Sequence, residues 1–166
     1  VLLTFRDATQ DDAEAITALH AAAAEDLTKR FGQGHWSRPP VVRRVEPASR
    51  FARLRVGVDG ARVVSALRLQ TKKPWAIAVA YFTPVRRSLY LTSMVVGVPR
   101  QGSGVGRAAM ADAHGTARAW PADAIRLDAY DAGAGAGPFY AKCGYSERGR
   151  VVYRNTPLIY YELLLP

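Results

Sequence analysis

The stretch Arg100–Arg107 (RQGSGVGR) constrains this chain more than any other. It lies between Ser88–Val96 (SLYLTSMVV), which has the composition of a strand, and a helical repeat over Gly104–Trp120 that Pro121 stops. In that repeat Val105, Ala109, Ala113, Ala117 and Trp120 recur on one face. Three glycines in a strand-to-helix turn need a cause. Lacking Cβ atoms, they let backbone amides converge on an anion, while the helix N-terminus adds partial positive charge and Arg107 a full one. A phosphate or pyrophosphate suits such a cradle. No Lys-Ser/Thr follows the last glycine, which excludes a Walker A nucleoside-triphosphatase. Gly104, Gly106 and Ala109 match Gly-x-Gly-x-x-Gly/Ala and Asp128 follows on the next strand, so a dinucleotide site is a rival. Against it, too little chain follows Tyr130 for the further βα units such a fold needs. A purely structural close turn is the remaining alternative.

The flanking pattern supplies the rest of the fold. Leu2, Leu3 and Phe5 suggest an opening strand, and Thr9–Asp12 a capping-box variant ahead of a helix with Ile16, Leu19, Ala23 and Leu27 on one face. Phe31–Pro40 (FGQGHWSRPP) reads as an ordered loop. Leu54, Val56 and Val58 alternate up to Asp59-Gly60, a type I′ hairpin signal, and Ala61–Leu69 forms the returning strand. Trp75–Phe82 is apolar without a period and fits either a strand or a buried loop. Ala124–Tyr130 is a strand, followed by a Gly/Ala run and a short helix with Phe139 and Tyr140 that ends near Gly144. Val151–Tyr153 and Leu158–Leu165 read as two closing strands split by Pro157. The fold class expected is α+β: a mostly antiparallel central sheet around one βαβ unit, flanked by helices.

At about 150 residues per domain, 166 residues make one domain spanning 1–166. No run approaches a membrane span, and no secretory leader pattern opens the chain, so we expect a cytoplasmic protein with no membrane partner. Cys143 is the only cysteine, which excludes an intrachain disulfide and a cysteine-ligated zinc cage. His20, His35 and His114 lack metal-site spacing, and no metal is expected. The net charge of +9 favours a polyanionic ligand. The basic residues are dispersed, however, which suits a solvated surface better than a nucleic-acid arm.

The chain resembles the GNAT superfamily of acetyl-CoA-dependent N-acetyltransferases. Gln101, Gly104 and Gly106 match its central Gln/Arg-x-x-Gly-x-Gly/Ala motif, and FYAKCGY, with Phe139, Tyr140, Gly144 and Tyr145, is similar to its following aromatic-Tyr motif. The likeness runs from the first strand to the closing PLIYYELLL. It implies acetyl-CoA as co-substrate, with pyrophosphate on the turn formed by Gln101, Gly102, Ser103, Gly104, Val105, Gly106 and Arg107. It also implies a pantetheine arm along the backbone of Met94, Val95 and Val96, and a small-molecule or peptide amine as acceptor. A homodimer is compatible with it. One departure stands out: Gly133 occupies a position where many members carry an asparagine.

Attack by a neutral amine on a thioester makes an oxyanion and expels a thiolate, so a hydroxyl near sulfur can protonate the leaving group. By resemblance Tyr140 is that catalytic residue. The central strand carries no acid to act as base, which leaves ordered water or Glu25, Asp26, His35 and Glu162. Glu25, His35, Trp36, Trp75 and Tyr81 are the candidates for the acceptor site. Cys143 has no His-Asp partnership around it, so direct transfer is simpler than an acyl-enzyme. A non-catalytic module on the same fold, sensing acyl-CoA or contacting nucleic acid, is the alternative from another class.

Overall fold

The structure is a computed structural model, and it describes residues 2–166. β1 (Leu3–Asp7) leads through a 3-10 turn into α1 (Ala13–Phe31). The Asp12 carboxylate accepts the Thr9 amide at 2.8 Å, the acidic half of a capping box, and is held by Arg6 at 2.7 and 3.0 Å. α1 buries Ile16 and Ala24 as the apolar spacing requires, with His20 fully within the same stripe.

β2 (Ala52–Asp59) and β3 (Arg62–Gln70) form the expected hairpin, but with a different turn. Asp59 pairs with Arg62, so the central residues are Gly60 and Ala61, and only Gly60 has a positive φ (63°). That is the pattern of a II′ turn, with glycine first, rather than the I′ turn an Asp-Gly centre would make. The ambiguous Trp75–Phe82 segment is a loop with a 3-10 turn at Val79–Tyr81. Ile77 and Phe82 anchor it in a small cluster with Tyr90 and Tyr160.

The chain continues through β4 (Ser88–Val96), α2 (Val105–Ala119), β5 (Ala124–Tyr130), α3 (Gly137–Lys142), β6 (Ser146–Tyr153) and β7 (Thr156–Leu164). Pro157 does not split the last two strands; it lies inside β7 opposite Val152. The chain reverses instead at Arg154 and Asn155, both left-handed, and a proline next to a strand's first residue is tolerated because few ladder bonds are lost there.

Among the described residues seven strands make one sheet in the order β1-β2-β3-β4-β5-β7-β6, and only β4 and β5 are parallel. A single parallel pair rules out the doubly wound sheet that the dinucleotide alternative requires. On one face Leu89, Leu91, Ile125, Leu127 and Ile159 pack with Ala109, Met110 and Ala113 of α2. Each large side chain buried there contributes roughly 1.5–3 kcal/mol. On the other face β5 presents Arg126, whose guanidinium donates to Glu162 (3.2 Å), the Tyr90 hydroxyl (3.1 Å) and the Thr83 carbonyl (2.6 Å). This satisfied buried cluster, together with Tyr160 bonded to Ala76 and Ala78, pins the 71–87 loop to the sheet.

The site arises where the sheet fails to close. β4 and β5 pair only over Ser88–Tyr90 and Ala124–Arg126. Beyond that point β4 bulges: the β3 register shifts between Ala66 and Arg68, and Ser93 sits at φ 53°, a left-handed conformation unusual for a non-glycine residue. The two central strands therefore splay, and each leaves an unpaired edge facing the gap.

Candidate active site

One side of the gap is built for an anion and an extended chain. Gly102 (φ 75°) and Gly104 (φ 92°) both adopt the left-handed conformation, and Gly104 caps α2. Among the described residues, the amides of Gly102, Gly104, Val105, Gly106 and Arg107 have no hydrogen-bond acceptor, so they are free for a phosphate at the positive end of a 15-residue helix. The turn is held from behind by Arg100, which pairs with Asp59 at 2.5 Å, and by Gln101, whose side-chain amide donates to the Val96 carbonyl at 3.1 Å. Gly106 has a packing role: a Cβ there would lie 3.2 Å from the Phe139 ring, which rests on the first turn of α2.

A cleft of about 650 Å³ runs from this turn along the free edge of β4. Met94, Val95, Val96, Gln101, Gly102, Gly104, Gly106 and Arg107 all line it, and Lys142 adds a second cation. Ser103 and Val105 do not: Ser103 returns its hydroxyl to the Arg100 carbonyl, and Val105 is buried in the core. An extended ligand can pair with an open strand edge as an added strand does.

On the far side of the gap lies a second cleft of about 430 Å³, between α1, the 32–40 loop, β4 and β5. Tyr140 lines both clefts, at the joint between them. Its ring is held by Phe139 (5.4 Å), Tyr145 (5.9 Å) and Tyr161 (6.3 Å). Among the described residues its hydroxyl has no protein hydrogen-bond partner, so the group is positioned yet unspent. Burial, reinforced by the charge of Asp128, raises its pKa, so the phenol stays protonated across the neutral range.

Sequence reasoning passed over Asp128 as a site carboxylate. It sits on β5 in the second cleft, half-buried and without a hydrogen-bond partner, and burial raises its pKa above the ordinary carboxylate range. The signal was present in AIRLDAY: Ile125, Leu127 and Ala129 face the core, which leaves Arg126, Asp128 and Tyr130 together on the opposite face. His20 also lines this cleft, with its pKa lowered by burial and its ring neutral.

His35 and Trp36 line the second cleft beside Tyr130, with ring separations of 6.3 and 6.1 Å. The other residues named for the acceptor lie elsewhere. Glu25 pairs with Lys29 on the exposed face of α1, Trp75 is 84% exposed, and Tyr81 packs on Tyr160 and Gly149. Asp26 pairs with Arg30, and Glu162 is consumed in the Arg126 cluster. Cys143 lines the first cleft, but burial pushes its thiol up against the smaller opposing pull of Arg107, the wrong direction for a nucleophile. Gly133 lies under Phe31, whose ring a Cβ would meet at 3.2 Å, so the end of α1 covers this position.

Among the described residues no helix is long and apolar enough to cross a membrane. No curated protein matches the chain by sequence. Among solved structures it is similar to nourseothricin acetyltransferase (22% identity, TM-score 0.68, all of both chains covered). It is also similar to the GNAT domain of S. lividans PAT (18%, TM-score 0.70, 97% of this chain and 89% of that one). A third, an aminoglycoside 6'-N-acetyltransferase complexed with coenzyme A, is 14% identical with a TM-score of 0.68 over 98% of each chain. The profile of the acetyltransferase (GNAT) family matches residues 18–145, which include the splayed strands, the glycine turn and Tyr140. A sheet opened beside a free-amide turn, with that profile across it, means that this chain belongs to the GNAT acetyltransferase family.

Proposed function

We propose that this protein moves an acetyl group from acetyl-CoA to a primary amine by direct transfer. The observation that carries the reading is Tyr140, which belongs to both clefts at the point where they meet. Bound acetyl-CoA supplies a thioester carbonyl open to attack and a thiol as leaving group. The free amides of the glycine turn, with Arg107 and Lys142, hold its phosphates, and the open edge of β4 from Met94 to Val96 orients its arm. Asp128 is the base: a carboxylate with a raised pKa takes the proton that an alkyl ammonium must lose. Tyr140 holds a proton for the departing sulfur, and its raised pKa keeps that proton available. The two groups divide acid and base work because their environments set them apart.

Calorimetric titration with acetyl-CoA and, in parallel, with NAD tests the first step. Micromolar binding of acetyl-CoA alone, roughly −8 kcal/mol, supports the reading. Absence of acetyl-CoA binding overturns it, and binding without transfer to any amine replaces it with a sensing role.

A further inference from the structure

Among the described residues, the second cleft is lined by only two charged side chains, Asp128 and Arg38, and they differ in kind. Asp128 on β5 is half-buried, and Arg38 is exposed, with no ion pair or hydrogen bond among the described residues. The same cleft carries an aromatic wall held in place by the protein's own hydrogen bonds. The Tyr130 hydroxyl donates to the His35 carbonyl at 3.4 Å, the His35 ring meets the Thr156 hydroxyl at 3.3 Å, and the Trp36 indole donates to the Gly32 carbonyl at 2.9 Å. A wall fixed in this way accepts a flat or apolar group at little ordering cost.

The charge pattern discriminates among amines. In the proposed chemistry Asp128 serves the reacting amine, so the cleft has no further carboxylate for a second ammonium, and the other charge an acceptor meets is a cation. Polyamines and aminoglycosides would lose water from ammonium groups that find no partner. An acceptor with an anionic group instead meets Arg38, whose planar fork suits a carboxylate.

We propose that the acceptor is a zwitterion of the amino-acid class: one primary amine, one carboxylate and a flat or apolar side group. The proposal rests on the transfer reading above for the role of Asp128, and the experiment separates the two. The protein with coenzyme A is titrated calorimetrically with L-phenylalanine, phenethylamine (the same molecule without its carboxylate) and spermidine. Initial rates with acetyl-CoA are then measured for these three and for a peptide with a free N-terminus.

Phenylalanine should exceed phenethylamine in kcat/KM by about tenfold, as a charge-assisted pair requires. In Arg38→Gln that preference should collapse through KM. Equal rates for the matched pair, an intact preference in the variant, or the highest rate with spermidine or the peptide would overturn the acceptor class while leaving acetyl transfer standing. Arg38-dependent binding of phenylalanine with no acetylation of any amine would keep the site and overturn the transfer reading. Neither binding nor acetylation of the amino acid would overturn the acceptor class.

Discussion

Replacing Tyr140 with phenylalanine removes one oxygen from the joint between the clefts. The ring is only 7% exposed and its packing against Phe139, Tyr145 and Tyr161 is unchanged by the substitution. Because the hydroxyl has no protein partner, its loss orphans no buried group, and the stability cost should stay below about 1 kcal/mol. Loss of a positioned proton donor costs about 10²–10⁴ in rate, or about 2.7–5.5 kcal/mol of barrier at 1.36 kcal/mol per tenfold. The assay pairs steady-state turnover, read as free thiol released, with calorimetric acetyl-CoA affinity and a thermal melt. We expect kcat to fall by that factor while Kd and Tm hold. Turnover within a few fold of the parent would remove Tyr140 from the chemistry, and a fall matched by lost affinity or lost stability would assign it a structural part.

Asp128→Asn tests a stability cost as well as a role. The folded state holds this proton more tightly than the unfolded chain, whose carboxyl titrates near 3.8, so the native state loses stability as pH rises from there through the raised value. The variant should melt higher than the parent at pH 7, melt equally below the unfolded value, and lose both its activity and the acid limb of the rate profile; a lower Tm at pH 7 would refute the burial argument. Gly104→Ala puts a Cβ on a φ of 92°, where the space is open but the backbone is strained, and should cost about 1–2 kcal/mol in urea unfolding and weaken acetyl-CoA binding. Arg126→Leu leaves Glu162 buried without its main partner and should cost about 3–5 kcal/mol by the same measurement. A loss under 1 kcal/mol would show that Arg148, 3.8 Å from Glu162, compensates.

The glycine turn, the amphipathic helices and most strands were legible because each depends on local chemistry: glycine freedom, a 3.6-residue stripe, alternation. β5 was read over Ala124–Tyr130, and that range is observed. What escaped was set by distant partners. Nothing in SLYLTSMVV marks Ser93 as a left-handed residue; the bulge follows from β4 pairing with β3 in one register and leaving β5 after Tyr90. Asp59-Gly60 looked like a turn centre, yet the Asp59–Arg62 pairing moved the centre one residue along. Asp128 was visible only as part of the rival dinucleotide pattern, because the cleft it lines is shared with α1 and the 32–40 loop, which are far away in sequence. Glu162 read as a possible base for the same reason, since its pairing with Arg126 joins strands that composition does not connect.

The splay between β4 and β5 makes the sheet two ribbons sewn together by three residues a side. The ribbon of β1 to β4 with α1 reaches the other through that seam, through α2 packed beneath it, and through the bonds that tie the 71–87 loop to Arg126, Tyr160 and Glu162. A ligand lying in the gap would act as a splint, bonding those amides of Leu91–Val96 that point away from β3 as a neighbouring strand would. Hydrogen exchange should therefore report the gap directly: the amides beyond Tyr90 on β4 that point away from β3 should exchange quickly in the free protein and slow on adding acetyl-CoA, while those bonded to β3 and those of Ser88–Tyr90 change little.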